Sequence, residues 1–237
     1  MHARDALLFF HSRISKNVLW TIESLFGQMI PATKFPRIVS YLPMAHIAAR
    51  AGDHYQAIYR IGQIFPVPVL EDMRDALPTI KPSVFLAVPR VWEKFKAGLE
   101  ARIEENPKKD LIAKAIQNGL EKVDYEQKGE SVPFMVGLKD KIFAKLVFSK
   151  FKEGLGIVDT EYFVTAAAPM NKDVHRWFHA IGIDVTEIYG MTEDTGPATI
   201  GVPGNAVESF EKRLKVDSIK VPSVLNPIGK VGIPIPG

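Results

Sequence analysis

The 237-residue sequence contains no cysteine. That excludes disulfides, a cysteine nucleophile and thiolate metal sites, and it is compatible with a cytoplasmic setting. Long apolar runs are also missing. No stretch approaches the ~18 apolar residues of a membrane-spanning helix. The apolar run near the N-terminus extends only from Ala6 to Phe10, which is short for the core of a secretory signal. Charge of one sign is not in excess: 30 Lys and Arg stand against 27 Asp and Glu, a net charge of +3. With no basic run interleaved with aromatics, nucleic acid is not an expected partner. Peripheral membrane contact stays open. There is no internal repeat, no low-complexity tract and no evident Ser-His-Asp set. The remainder is 46% hydrophobic and 24% charged, a balance that lets a chain of this length bury a core.

Apolar residues recur at helical spacing in several places. Val18, Leu19, Ile22, Leu25, Phe26 and Met29 form one stripe. Leu111, Ala115, Ile116, Leu120 and Val123 form a second, and Leu138, Ile142, Leu146 and Val147 a third. Asn171 is placed to cap a helix burying Val174, Trp177, Phe178 and Ile181, with Gly182 just past its end. Between these lie short runs rich in β-branched and aromatic residues: Ile38 to Leu42, Val84 to Val88, Glu161 to Thr165 and Asp184 to Tyr189. Strands alternating with helices predict an α/β fold, a largely parallel sheet with helices on its faces, over residues 37 to about 200. Residues 104–134 are charged and helical and read as a surface excursion. Residues 201–227 are polar and rich in Gly and Pro and read as a loop or insertion.

Each predicted strand runs into a short segment of small, Pro or polar residues. These are Leu42-Pro43-Met44-Ala45-His46, Val88-Pro89-Arg90, Thr165-Ala166-Ala167-Ala168-Pro169 and Tyr189-Gly190-Met191-Thr192-Glu193. Ligands of open parallel sheets bind at the carboxyl ends of the strands, so parallel strands would turn all four segments toward one crevice. Small residues at Ala166 to Ala168 would let a planar ring lie against backbone. Tyr189 adds an aromatic ring, His46 an imidazole, Thr192 a hydroxyl and Glu193 a carboxylate. A carboxylate beside a hydroxyl suits Mg²⁺ and its attached phosphates, since Mg²⁺ takes hard oxygen ligands and few carboxylates. A nucleotide site is the natural reading. Plainer readings stand beside it. The last segment also fits a strand end, a glycine turn and a helix cap. His46 fits a helix start satisfied by backbone, the alanines fit simple packing, and Trp92 fits the core.

At these residues the chain resembles the adenylate-forming (AMP-binding) superfamily, and within it the long-chain fatty-acid–CoA ligase (acyl-CoA synthetase) branch. Tyr189-Gly190-Met191-Thr192-Glu193 is similar to its Tyr-Gly-x-Thr-Glu signature, and Thr165 to Met170 to its Ser-Gly-Ala-Ala-Pro-Leu segment. Tyr41 to His46 is similar to a Leu-Pro-Leu-Ala-His stretch, and Lys230 to Gly237 to the Val-Gly-x-Pro-x-Pro-Gly that closes the region. Phe85 to Lys94 looks like the long-chain branch in particular. Five segments in the family's order carry more than any one of them. The resemblance implies ATP-dependent activation of a fatty acid to acyl-AMP, then transfer to coenzyme A, with ATP, Mg²⁺ and coenzyme A required. It implies that Ala166, Ala167, Ala168, Tyr189, Gly190, Met191 and Thr192 contact the nucleotide, that Thr192 and Glu193 are catalytic, and that Glu193 holds Mg²⁺. It also places His46 beside the acyl chain. Arg90 and Trp92 belong to the long-chain signature without an assigned chemical role.

Departures from the pattern shape a further expectation. No glycine occurs before Gly27, so residues 1–14 do not match the family's Gly-rich phosphate loop, whose backbone N–H groups would cradle phosphate. Residues 15–237 are expected to form part of the large N-terminal domain, with the smaller C-terminal domain absent and the chain alone not competent for turnover. An acyl-AMP ligase fragment and a non-catalytic paralogue that binds acyl chain or nucleotide are the alternatives.

Overall fold

The computed structural model describes residues 16–29, 35–193, 195–202, 224, 226–230 and 232–234. Val, Ile, Phe and Tyr fill its central strands because their branched or flat side chains pack well on a pleated surface. The strands are β1 (Arg37–Ser40), β2 (Gln63–Pro66), β3 (Val84–Ala87), β4 (Tyr162–Thr165), β5 (Val185–Met191), β6 (Gly196–Ile200) and β7 (Ile233–Pro234). They form one sheet in the order β2-β1-β3-β4-β5-β6-β7. The pairings from β2 through β5 are parallel, and β6 and β7 add antiparallel strands at one side. The fold is therefore α/β with a largely parallel sheet. The four predicted strands are all present. Sequence patterning misses β2, β6 and β7, which lie toward the margins, where Pro66, Gly196 and Pro197 break the apolar signal.

Period-two alternation divides the buried residues between the two faces. On one face Val39, Phe85, Ala87, Phe163 and Val185 enter the larger core. Trp92 is its centre, fully buried, with edge contacts to Phe85, Phe95, Phe163 and Phe178. Its indole N–H donates to the Ala87 carbonyl at 3.2 Å, so the one polar atom of the ring is satisfied. The helices over this face include Met73–Ile80, Pro89–Glu104, Lys109–Lys128 and Lys172–Ala180. Asn171 caps the last of these, its side-chain oxygen accepting from the backbone N–H of Asp173 and Val174 at 2.8 and 3.4 Å. The other face carries Val84, Tyr162 and Ile200 and is covered by a smaller cluster from Ile22, Leu25 and Phe26. These three lie on a helical segment over residues 16–29 that widens into a π-helical turn at Glu23–Met29. A second helical run, 47–60, crosses the same face.

The 104–134 stretch holds the helix Lys109–Lys128. It buries Ile112, Ala115 and Val123 and leaves its charged face in solvent. It also crosses Lys172–Ala180 so closely that a Cβ on Gly119 would collide with the Ala180 carbonyl. Most of the 201–227 stretch, from 203 to 223, lies outside the described residues, as do residues 1–15.

Candidate functional site

Because β1, β3, β4 and β5 are parallel, their carboxyl ends share one edge of the sheet. A cavity of about 90 Å³ opens beside that edge on the face that carries the smaller cluster. Its floor is the upward-facing row Ile38, Val84, Leu86, Val164 and Ile188, and Leu25 and Phe26 contribute from the 16–29 helix. The 47–60 run lies over it. Gly52 permits that closeness, since a Cβ there would sit 3.0 Å from Leu86.

Four of the candidate residues line this cavity: His46, Ala166, Ala167 and Gly190. His46 is the N-cap of the 47–60 run, and its Nδ1 accepts from the Ala48 N–H at 3.1 Å. The cap fixes the ring and leaves Nε2 carrying the proton in the neutral imidazole. Ala167 has φ = 73°, the left-handed region that costs an L-residue about 1–2 kcal/mol. Its backbone is thus turned sharply where β4 ends. Gly190 pairs with Pro197 across the β5–β6 ladder beside a bulge, and any Cβ on it would strike the Gly196 carbonyl. A bulge of this kind re-aims the side chains beside it.

The remaining candidates stand outside the cavity. Ala168, Met191, Thr192 and Glu193 are exposed on the same edge, and Tyr189 is 48% exposed at the end of β5. A turn in which Thr195 N–H donates to the Thr192 carbonyl at 3.0 Å holds Thr192 and Glu193 between β5 and β6. The Val88-Pro89-Arg90 turn does not line the cavity. Its Val88 N–H instead donates to the Tyr41 hydroxyl at 3.1 Å, tying the β3 end to the β1 end, while Arg90 is exposed. Trp92 is core.

A sequence profile of the AMP-binding enzyme family matches residues 12–237. The chain belongs to the AMP-binding enzyme family. Among its relatives, a putative fatty-acid–CoA ligase, fadD11 of Mycobacterium tuberculosis, is 36% identical over 171 residues, covering 70% of this chain and 30% of that protein. The long-chain-fatty-acid–CoA ligase ACSBG2 of Rattus norvegicus is 32% identical over 198 residues, covering 78% and 28%. This chain thus spans under a third of the length of those relatives. A benzoate CoA ligase from Burkholderia xenovorans shares the fold with a TM-score of 0.52 at 13% identity, over 94% of this chain and 32% of that one.

Three polar residues of this AMP-binding chain escape the sequence reading. Asp53 and Gln56, on the 47–60 run, line the cavity at only 2% and 1% exposure, and among the described residues Asp53 Oδ2 and Gln56 Nε2 have no hydrogen-bond partner. Burial pushes the Asp53 carboxyl up to about 6, with a hydrogen bond from Ser40 pulling the other way. The third is Glu187 on β5. Its Oε1 accepts from the Met170 N–H at 3.3 Å, so it pins the end of the Ala166–Met170 segment to the strand that carries Tyr189. Burial raises its carboxyl above the usual range, and the Met170 bond opposes that. The available signal was an acid amid small residues, Ala48-Ala49-Arg50-Ala51-Gly52-Asp53, and an acid in an otherwise apolar strand.

Among the described residues no group of three or more His, Cys, Asp or Glu could hold a metal by itself. Glu193 with the Thr192 hydroxyl is a donor set of another kind. One carboxylate and one hydroxyl suit a Mg²⁺ that keeps its waters and arrives with phosphates.

Proposed function

We propose that this chain forms the adenine- and acyl-binding part of a long-chain fatty-acid–CoA ligase. The observation that carries the reading is the apolar cavity at the carboxyl ends of parallel strands, walled by His46, Ala166, Ala167 and Gly190, in a chain of the AMP-binding family. In this reaction a fatty-acid carboxylate attacks the α-phosphorus of ATP, and pyrophosphate leaves with the bonding electrons. The thiol of coenzyme A then attacks the acyl carbon of the acyl-AMP, and AMP leaves. Tyr189, exposed beside the Ala166–Ala168 segment, offers its ring face to adenine. The small side chains of that segment let the base approach backbone. Thr192 donates to phosphate, and Glu193 would hold Mg²⁺, which when bound offsets the charge that builds up on the phosphates. The acyl chain enters the cavity past His46. A space of about 90 Å³ takes only its first few carbons, given that a cavity of about 150 Å³ holds one benzene. A long chain therefore requires the helices over the cavity to shift.

Calorimetry with Mg-ATP tests the nucleotide half. Tyr189→Ala is expected to weaken binding about tenfold, in line with ~1–3 kcal/mol for a base stacked on an aromatic ring. Glu193→Ala is expected to remove the dependence on Mg²⁺. Binding untouched by both changes would sink the assignment.

No helix among the described residues is long and apolar enough to cross a membrane. One helical face nevertheless suits contact with a lipid surface. Phe134, Met135, Leu138, Ile142 and Leu146 are exposed in a row, with Lys139, Lys141 and Lys145 beside them. An apolar stripe flanked by lysines fits the boundary of an anionic bilayer, where a fatty-acid substrate partitions. Co-sedimentation with phosphatidylglycerol vesicles that Leu138→Glu fails to reduce would count against this contact.

A further inference from the structure

On the far side of the sheet from the apolar cavity, two neighbouring helices part along their facing stripes. Met73 and Leu77 line one wall, from Met73–Ile80, and Val91 and Leu99 the other, from Pro89–Glu104. All four side chains are buried. Between them is a cleft of about 220 Å³, which Leu155 also lines. Close-packed interiors hold few voids larger than a water molecule. This space exceeds the ~150 Å³ that accepts benzene and has room for roughly eight to ten carbon atoms. Part of the room comes from Gly98, where an added Cβ would meet nothing within 4 Å among the described residues.

The rim is charged and lopsided. Arg74, Lys94 and Arg102 border the cleft together with one acid, Glu71. Among the described residues none of the three cations is ion-paired. The guanidinium of Arg102 lies over the cleft's end, its Nη1 3.8 Å from where a Cβ of Gly154 would be. Free cations around an apolar floor repel one another and favour an anion, an attraction strengthened by the low-dielectric wall beneath them. The cleft also accounts for a motif that the catalytic reading left unused. In Val91-Trp92-Glu93-Lys94, Trp92 turns into the core, while Val91 and Lys94 both border this cleft.

The geometry points to a second binding site, for an anionic amphiphile: a tail of roughly eight to ten carbons between the two helices and a carboxylate or phosphate head among Arg74, Lys94 and Arg102. It is independent of the acyl cavity, from which the sheet separates it.

The test is calorimetric titration of the whole chain with decanoate, decyl phosphate and 1-decanol. Saturable binding of an anion is expected. Gly98→Leu fills the cleft and is expected to weaken that binding at least tenfold. It replaces an exposed helical glycine with a better helix former, so the variant folds, as a cooperative thermal melt no lower than the parent's will show. Arg74→Gln with Arg102→Gln is expected to weaken the anions at least tenfold and to change 1-decanol less than twofold. Tighter binding of decyl phosphate than of decanoate assigns the head group as phosphate, and the reverse assigns it as carboxylate. The site is overturned by absence of saturable binding, by binding that survives both variants, or by binding that is lost instead in Ala48→Phe, which narrows the other cavity.

Discussion

Asp53 illustrates how one buried acid changes the behaviour of a site. Its carboxyl titrates near 6 in the folded chain and at 3.8 when unperturbed. Between those values the folded state holds a proton that the unfolded state has lost, so stability falls as pH rises through that window. The difference amounts to roughly 3 kcal/mol. Asp53→Asn cannot lose a proton and is expected to become more stable relative to the parent as pH climbs from 4 to 7, by about that amount. Denaturant midpoints at pH 4 and pH 7 check it, and parallel midpoints for parent and variant would show that Asp53 is better solvated than its burial implies. The same residue marks where sequence reading stopped. Its neighbours Ala51 and Gly52 announce a close helix–sheet approach, but nothing local says that the acid after them points inward.

At the scale of elements, the crossing of Lys109–Lys128 over Lys172–Ala180 depends on Gly119. Alanine is ordinarily the better helix residue by about 1 kcal/mol. Here its methyl would collide with the Ala180 carbonyl, and backbone cannot step aside as a side chain can. Gly119→Ala is therefore expected to destabilise by roughly 1–3 kcal/mol, measurable as a lowered Tm, whereas Gly98→Ala in open space is expected to stabilise. Elements of this sort were legible where a long apolar period declared them. The capped helix after Asn171 and strands β3, β4 and β5 follow directly from the spacing of their buried residues. The 47–60 run was not, because its inward face is made of Ala49, Ala51 and Gly52, whose small side chains give almost no periodic signal. The candidate site shows the same division. Its strand-end turns could be read from composition, while the inward turn of Asp53, Gln56 and Glu187 required the third dimension.

For the whole molecule, opposite titrations offset one another. His175 is fully buried. Burial and the nearby His179 push it down to about 4, against a bond to the Val185 carbonyl that acts the other way. The folded state refuses a proton that the unfolded state accepts, so this group costs stability as pH falls from 6.5 toward 4, the reverse of Asp53. The parent's stability should consequently change little between pH 4 and 6, and Asp53→Asn should expose the acid-side loss. The sheet also divides the molecule unequally. Among the described residues, one face is locked by Trp92 and its four aromatic neighbours, and the other is held by a few residues of the 16–29 and 47–60 segments above a cavity. Backbone amides should record that asymmetry as two exchange regimes in deuterated solvent. Protons on β3 and β4 are expected to wait for global unfolding, and those of the 47–60 run to exchange through cheaper, partial opening. An acyl chain held beneath the 47–60 run would slow that set together with the global one, since both openings must release it, while amides that fray elsewhere would keep their rates, so the isotope pattern would reveal the ligand's location before any turnover is measured.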